Sequence, residues 1–83
     1  MEQETERRWA LATAETLRAE RGIAQQSQAE TARLTGITRT SYRLYEEGIR
    51  SPTAVQLAAI AAAFGIPFSK LLSEIERRAK ENQ

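Results

Sequence analysis

Three residue types that carry much of protein chemistry are missing from this sequence: its 83 residues include no cysteine, no histidine and no aspartate. Disulfides, zinc sites built from Cys and His, thiol nucleophiles and histidine-based catalytic triads are therefore excluded. No side chain has an unperturbed pKa near neutral pH. Catalysis would have to rest on Glu, Lys, Ser, Thr or Tyr alone, so we expect no enzyme activity, no cofactor and no bound metal.

An excess of one charge and a long apolar run are also lacking. Lys and Arg number 12 against 11 acidic residues, a net charge of +1, and ten of the twelve basic residues are Arg. The longest uncharged stretch, 51–69, is interrupted by Pro52, Gly65 and Pro67, which favours two helices of a soluble protein over a membrane span. The N-terminus is too charged for a signal peptide. We therefore expect a cytoplasmic protein that does not contact a membrane.

Helical periodicity is the regular pattern that is present. Four glycines punctuate stretches rich in Ala, Leu, Glu and Arg, and no stretch alternates apolar and polar residues as a half-buried strand would. Because glycine commonly follows the last turn of a helix, the sequence predicts an all-α fold with helices over about 5–21, 27–34, 39–47, 54–64 and from 67 onward. We expect residues 1–83 to form one domain, with 1–9 a charged extension of helix 1 and 73–83 a C-terminal helical extension that finally frays.

Apolar side chains at helical spacing predict the core. Those that we expect to be buried are Trp9, Ala10, Ala14, Leu17, Leu57, Ile60, Ala61, Phe64, Phe68, Leu71, Leu72 and Ile75. Trp9 is expected to fill the space beside the two small alanines of helix 1.

The third helix has two contrasting faces. At about 100° per residue, one arc carries Arg39, Thr40, Arg43, Leu44 and Glu47, and the opposite arc carries Ser41, Tyr42 and Tyr45. The tyrosine arc is expected to pack inside. Two guanidinium groups one turn apart near a helix N-terminus suit phosphate or guanine contacts in a DNA major groove. From periodicity alone, however, a solvated basic face is the commoner explanation.

The residues around helix 3 favour DNA contacts over a merely solvated basic face. Helix 2, a Thr35-Gly36-Ile37 turn and helix 3 have the spacing of a helix-turn-helix, with the small Ala32 where the helices would cross. From Leu17 to Leu72 the chain resembles the lambda-repressor/Cro-like (XRE-type) helix-turn-helix family. The motifs that carry the resemblance are Leu17-Arg18-x-x-Arg21-Gly22, Ser27-Gln28, Gly36-Ile37-Thr38-Arg39, Tyr45-Glu46-x-Gly48, x-Arg50-x-Pro52, Leu57-x-x-Ile60-Ala61-x-x-Phe64-Gly65-Ile66 and Leu71-Leu72.

The resemblance implies a compact five-helix lambda-repressor-like domain that binds double-stranded DNA as a dimer, with helix 3 in the major groove. Its DNA-binding set would be Gln28, Thr38 and Arg50 on phosphates, and Arg39, Thr40, Arg43 and Leu44 at the bases. Leu44 stands where the family usually has a polar residue. It is expected at a thymine methyl group, or else it is an exposed apolar residue or part of a protein contact.

Two further features follow from the resemblance. Arg18 and Glu46 match a pair that often forms a buried ion pair, which would tie helix 1 to helix 3. Five residues separate Gly22 from Gln28, where the family usually has two, so three residues look inserted as a longer turn or an added helical turn. Pro67 replaces the family's usual Ser cap before helix 5, a change that we expect the fold to tolerate.

The sequence therefore leaves two functions open. The first is a sequence-specific transcriptional regulator, a repressor that binds its operator as a homodimer. Its dimer surface is expected on helix 5 at Leu72, Ile75 and Ala79, unless these residues simply complete the core. The alternative is a protein-interaction module on the same fold, such as an antitoxin or antiactivator with a protein partner. The near-neutral charge, Leu44 and the apparent insertion favour this alternative.

Overall fold

The computed structural model describes residues 3–81, which form five α-helices and, within that range, no β-strand. The helices are α1 (Gln3–Ile23), α2 (Gln28–Thr35), α3 (Arg39–Glu47), α4 (Ala54–Phe64) and α5 (Phe68–Glu81). The predicted all-α, five-helix fold is confirmed. Residues 1–2 and 82–83 lie outside the described residues, and with them the ends of the two expected extensions, including the C-terminal end that was expected to fray.

Hydroxyl side chains start the three central helices. Ser27 caps α2 from just outside the helix. Thr38 Oγ1 accepts the backbone N–H of Ser41 at 3.1 Å, which starts α3 at the predicted residue. Thr53 caps α4, and the Gln56 side chain bonds back to the Thr53 N–H at 2.9 Å. These bonds satisfy backbone donors that have no partner inside the helix, so the local sequence fixes where α2, α3 and α4 begin.

The core lies where α1 packs along α5 and α3, and where α2 packs on α3 and α4. The buried apolar residues are Ala12, Ala14, Leu17, Ala32, Tyr42, Tyr45, Ile60, Ala61, Phe64, Leu71, Ile75 and Ala79. Two predicted core residues are exposed, Trp9 at 37% and Leu72 at 43%. Three more are only half-buried: Leu57 and Phe68 pack against the core, and Ala10 is half-buried on α1. The buried residues of α1 begin at Ala12, so Trp9 lies about one turn before them, at the edge of the core.

The first helix ends later than predicted. Gly22 lies inside α1, and the residue with left-handed backbone is Gln25, whose φ is 58°. The Gln25 N–H donates to the Gly22 carbonyl at 3.1 Å, and the Gln26 N–H donates to the Arg21 carbonyl at 3.2 Å. This pair of bonds is the Schellman arrangement that closes a helix C-terminus. The prediction that Gly22 stops the helix is therefore wrong.

The position of Gln25 also removes the apparent insertion. Two residues, Gln26 and Ser27, separate it from Gln28, and this is the spacing that the family shows between its helix-ending glycine and that glutamine. A glutamine thus occupies the glycine position, and Gly22 is a helical residue one turn earlier.

The turn between α1 and α2 is tied to the rest of the fold through Gln26. Its side-chain amide donates to the Ala63 carbonyl at 2.7 Å and accepts the Thr31 hydroxyl at 2.8 Å. Its backbone carbonyl accepts Arg21 Nη1 at 2.9 Å. The start of α2 is consequently held to both α1 and α4.

Within residues 3–81, no single helix is long and apolar enough to cross a membrane. The α4–α5 pair reaches the necessary length and hydropathy only when both helices are counted together, across a bend of 109°.

We expect Gln25→Gly to raise the free energy of unfolding by about 1 kcal/mol, because left-handed backbone disfavours a side chain by about 1–2 kcal/mol. Gly22→Ala should also stabilise the protein, by about 0.5–1 kcal/mol, because alanine favours a helix. An added Cβ at Gly22 would meet no atom within 4 Å. Urea unfolding followed by circular dichroism measures both effects.

Gly36→Ala is the matched control, since its added Cβ also meets no atom within 4 Å but its φ is +74°. It should destabilise the protein by about 1 kcal/mol. A similar loss for Gly22→Ala would contradict the assignment of Gln25 as the end of α1.

Candidate nucleic-acid interface

The α2–α3 unit is set by a tight turn. Gly36 has a φ of 74°, and its N–H donates to the Ala32 carbonyl at 3.0 Å. The Thr35 hydroxyl accepts the Ile37 N–H at 3.3 Å, which fixes the chain between the helices. Ala32 is buried, and its small side chain allows the close crossing of the two helices.

Two buried tyrosines hold the inner face of α3. The Tyr45 hydroxyl donates to Gln56 Oε1 at 2.9 Å, and the Tyr42 hydroxyl donates to Glu46 Oε2 at 2.6 Å. Both rings are buried, and the Tyr45 bond joins α3 to Gln56 of α4, so α3 cannot turn about its axis without breaking that bond and exposing the rings. The face opposite the tyrosines is thereby fixed toward solvent.

The outer face of α3 carries the predicted residues. Arg39, Thr40, Arg43 and Glu47 are exposed, so the predicted division of this helix into two faces is confirmed. Leu44 differs from the others because it is half-buried. Thr38 and Arg50, at the two sides of the helix, are exposed as well.

Half of the arginines of this region are paired. Arg43 Nη1 lies 2.9 Å from Glu47 Oε2 on α3, and Arg33 Nη2 lies 2.6 Å from Glu30 Oε1 on α2. Within the described range 3–81, the side chains of Arg39 and Arg50 form no hydrogen bond or ion pair. Two of the four arginines therefore keep an uncompensated charge.

A buried carboxylate joins the three helices behind this face. The Glu46 side chain, 1% exposed, accepts Arg21 Nε at 2.6 Å and Arg21 Nη2 at 3.0 Å. It also accepts the Tyr42 hydroxyl at 2.6 Å and Gln28 Nε2 at 2.9 Å. Arg18 Nη1 donates to the backbone carbonyl of Glu46. Residues of α1, α2 and α3 thus meet at one carboxylate.

The predicted ion pair of Arg18 with Glu46 is wrong. The carboxylate pairs with Arg21, and Arg18 reaches only the carbonyl of the same residue. The reason is that α1 is closed by Gln25, three residues later than the resemblance placed its end. Arg21, one helical turn after Arg18, therefore stands in the position that the resemblance gave to Arg18. Counting back from Gln28 by the family's spacing, rather than forward from Gly22, would have found it.

Gln28 is directed toward the protein interior. One N–H of its side-chain amide is engaged by Glu46, and the residue is half-buried. The amide nitrogen carries a second N–H, so a phosphate contact remains a prediction.

Local electrostatics keep the cluster ionised. Burial works against the charge of Glu46, but the hydrogen bonds from Arg21, Tyr42 and Gln28 outweigh it and hold the pKa of Glu46 below its ordinary value of 4.5. The hydrogen bond to Glu46 raises the pKa of Arg21. Burial, together with the bond to the Glu46 carboxylate, raises the pKa of Tyr42, so its hydroxyl stays a donor.

The predicted dimer residues fall into two groups. Ile75 and Ala79 are buried against the other helices, so their assignment to a dimer surface is wrong and they complete the core. Leu72 is exposed and lines a groove of about 390 Å³ between α1, α4 and α5, together with Trp9 and Leu57.

These features define a class of protein. A tight helix-turn-helix whose second helix shows arginines and a threonine on a fixed outer face is typical of DNA-binding regulatory domains. A family model described as helix-turn-helix matches residues 15–71 of the chain, and the chain belongs to this Cro/C1-type, XRE-like family. The resemblance seen in the sequence is thus confirmed. The family is one of DNA-binding regulatory domains rather than enzymes. No curated protein and no solved structure matches the chain significantly.

We expect Arg21→Met to lower the free energy of unfolding by about 3–5 kcal/mol, because it leaves the Glu46 carboxylate buried without its cation. Arg18→Met is the matched control, since it removes only a bond to a backbone carbonyl and should cost about 1 kcal/mol. Urea unfolding gives both values. A larger loss for Arg18→Met than for Arg21→Met would contradict the observed pairing.

Proposed function

We propose that this protein is a sequence-specific transcriptional regulator that binds a double-stranded DNA operator as a homodimer. Membership of the helix-turn-helix family supports DNA binding. The observation that carries the proposal is the fixed outer face of α3, where Arg39, Thr40 and Arg43 project away from two buried, hydrogen-bonded tyrosines. The helix backbone that carries these side chains is already ordered, so only the side chains themselves would lose freedom on binding DNA.

The residue roles follow from the chemistry of each position. Arg39 and Arg43 would donate to guanine or phosphate, and Thr40 would contact a base edge one residue along. The exposed Thr38 and Arg50 flank the helix and would bond phosphates, with Gln28 adding its second amide N–H. The exposed part of Leu44 would meet a thymine methyl group.

Repression is the simplest regulatory outcome, since a dimer on an operator blocks other proteins from the same DNA without any further contact. We place this activity in the cytoplasm, with DNA as the main partner. The alternative of an interaction module loses one of its three supports, because the left-handed Gln25 closes α1 with two residues between it and Gln28 and so accounts for the apparent insertion.

DNA binding is tested by fluorescence anisotropy with duplexes from the protein's own promoter region and with duplexes of mixed sequence, at low and moderate salt. We expect sub-micromolar binding to a promoter duplex. Arg39→Ala/Arg43→Ala should weaken it by about a hundredfold or more, because each base contact is worth about 1–3 kcal/mol.

Arg7→Ala/Arg77→Ala is the matched control, since it removes two exposed arginines from α1 and α5 and the same total charge. It should retain most of the affinity. If the promoter duplexes bind no better than mixed sequence at any salt concentration, the proposed regulator is refuted.

The dimer is tested by light scattering at tens of micromolar protein. We expect twice the monomer mass for the natural chain, and a monomer for Leu72→Glu, because a charge on that exposed side chain would be desolvated in a contact. Leu34→Glu changes a similarly exposed leucine on α2 and should remain a dimer. A monomer for the natural chain would contradict the proposed assembly.

A further inference from the structure

On the outer face of α3, an acidic side chain lies next to one of the arginines and cancels its charge. Arg43 and Glu47 stand one turn apart on this face, with Nη1 and Oε2 2.9 Å apart and side chains that are 49% and 43% exposed. Glu47 therefore sets a carboxylate beside the phosphates of any DNA that approaches α3. Glu46, its neighbour in sequence, differs because its charge is buried and compensated.

The Arg43–Glu47 contact is too weak to lock the arginine in place. Exposed pairs of this spacing change an equilibrium constant only about twofold. A two-pronged contact between arginine and guanine discriminates about 5- to 150-fold against the wrong base, so a matching base would draw Arg43 away from Glu47 easily. A phosphate also attracts Arg43, but its negative charge is repelled by the nearby Glu47 carboxylate, whereas a neutral base is not repelled in this way.

We propose that Glu47 is a specificity-determining residue that lowers the affinity of this domain for DNA of arbitrary sequence. The Glu47 carboxylate cancels the positive charge with which Arg43 would otherwise neutralise one DNA phosphate. It leaves the guanine contact of Arg43 largely intact. This proposal rests on the proposed function, with α3 in the major groove.

The test compares Glu47→Gln with Glu81→Gln, which makes the same change of charge in a matched pair. Arg77 and Glu81 have the same spacing, an Nη1–Oε2 distance of 3.0 Å and side chains 48% and 59% exposed. They lie on α5, which packs on α1 and α4. The probe is a mixed-sequence duplex of about 20 base pairs, two helical turns, titrated by anisotropy over a range of salt concentrations.

We expect Glu47→Gln to bind this duplex about fivefold more tightly near 0.15 M salt, and to steepen the slope of log K against log salt by about 0.9, the value for one more neutralised phosphate. Glu81→Gln should change the affinity less than about twofold and leave the slope unchanged, because salt screens charges beyond about 8 Å. Thermal unfolding of both variants verifies that they are folded.

Equal changes in the two variants, or weaker binding by Glu47→Gln, would overturn the proposal. Absence of any binding by the natural chain is a different result, which refutes the proposed function itself and the role of Glu47 with it.

Discussion

The buried carboxylate of Glu46 is the interaction on which the helix-turn-helix depends. Isolated burial of such a charge is strongly unfavourable, and here Arg21 from α1, Gln28 from α2 and Tyr42 from α3 each donate to it. Every donor comes from a helix that must be correctly placed. The cost of an unpaired charge therefore penalises arrangements in which any of the three helices is displaced.

This dependence links stability to recognition. Glu46 bonds to α1 and α2, and Tyr45 bonds to α4, so these contacts fix the orientation of α3 and of the arginines on its outer face. The residues proposed to contact bases contribute little to the core, since Arg39 and Arg43 are exposed. Substitutions on the outer face of α3 should accordingly leave the fold intact, because the inner face carries the packing.

Local signals predicted most of the fold and the exposed half of the site. The predicted starts of α3 and α4 agree with the structure, where local hydroxyl caps fix them, and the 3.6-residue period separated Tyr42 and Tyr45 from the arginines. The same reasoning failed at the end of α1, because a left-handed glutamine at position 25 has no sequence signal comparable to glycine. For the same reason, Arg18 was predicted as the partner of Glu46 in place of Arg21. Whether Trp9, Ile75 and Ala79 are buried depends on how α1 and α5 pack against each other. The periodicity of a single helix does not contain this information.

The hydrogen bonds of Gln26 have a consequence for the thermodynamics of association. Its amide bridges Thr31 at the start of α2 and the Ala63 carbonyl near the end of α4. Helices joined in this way lose little conformational entropy when a ligand contacts one of them, since their relative placement is already determined. Contacts made by α3 then add to the binding free energy without an offsetting cost for ordering the helices. A low ordering cost matters most for a small domain, because its surface can form few contacts.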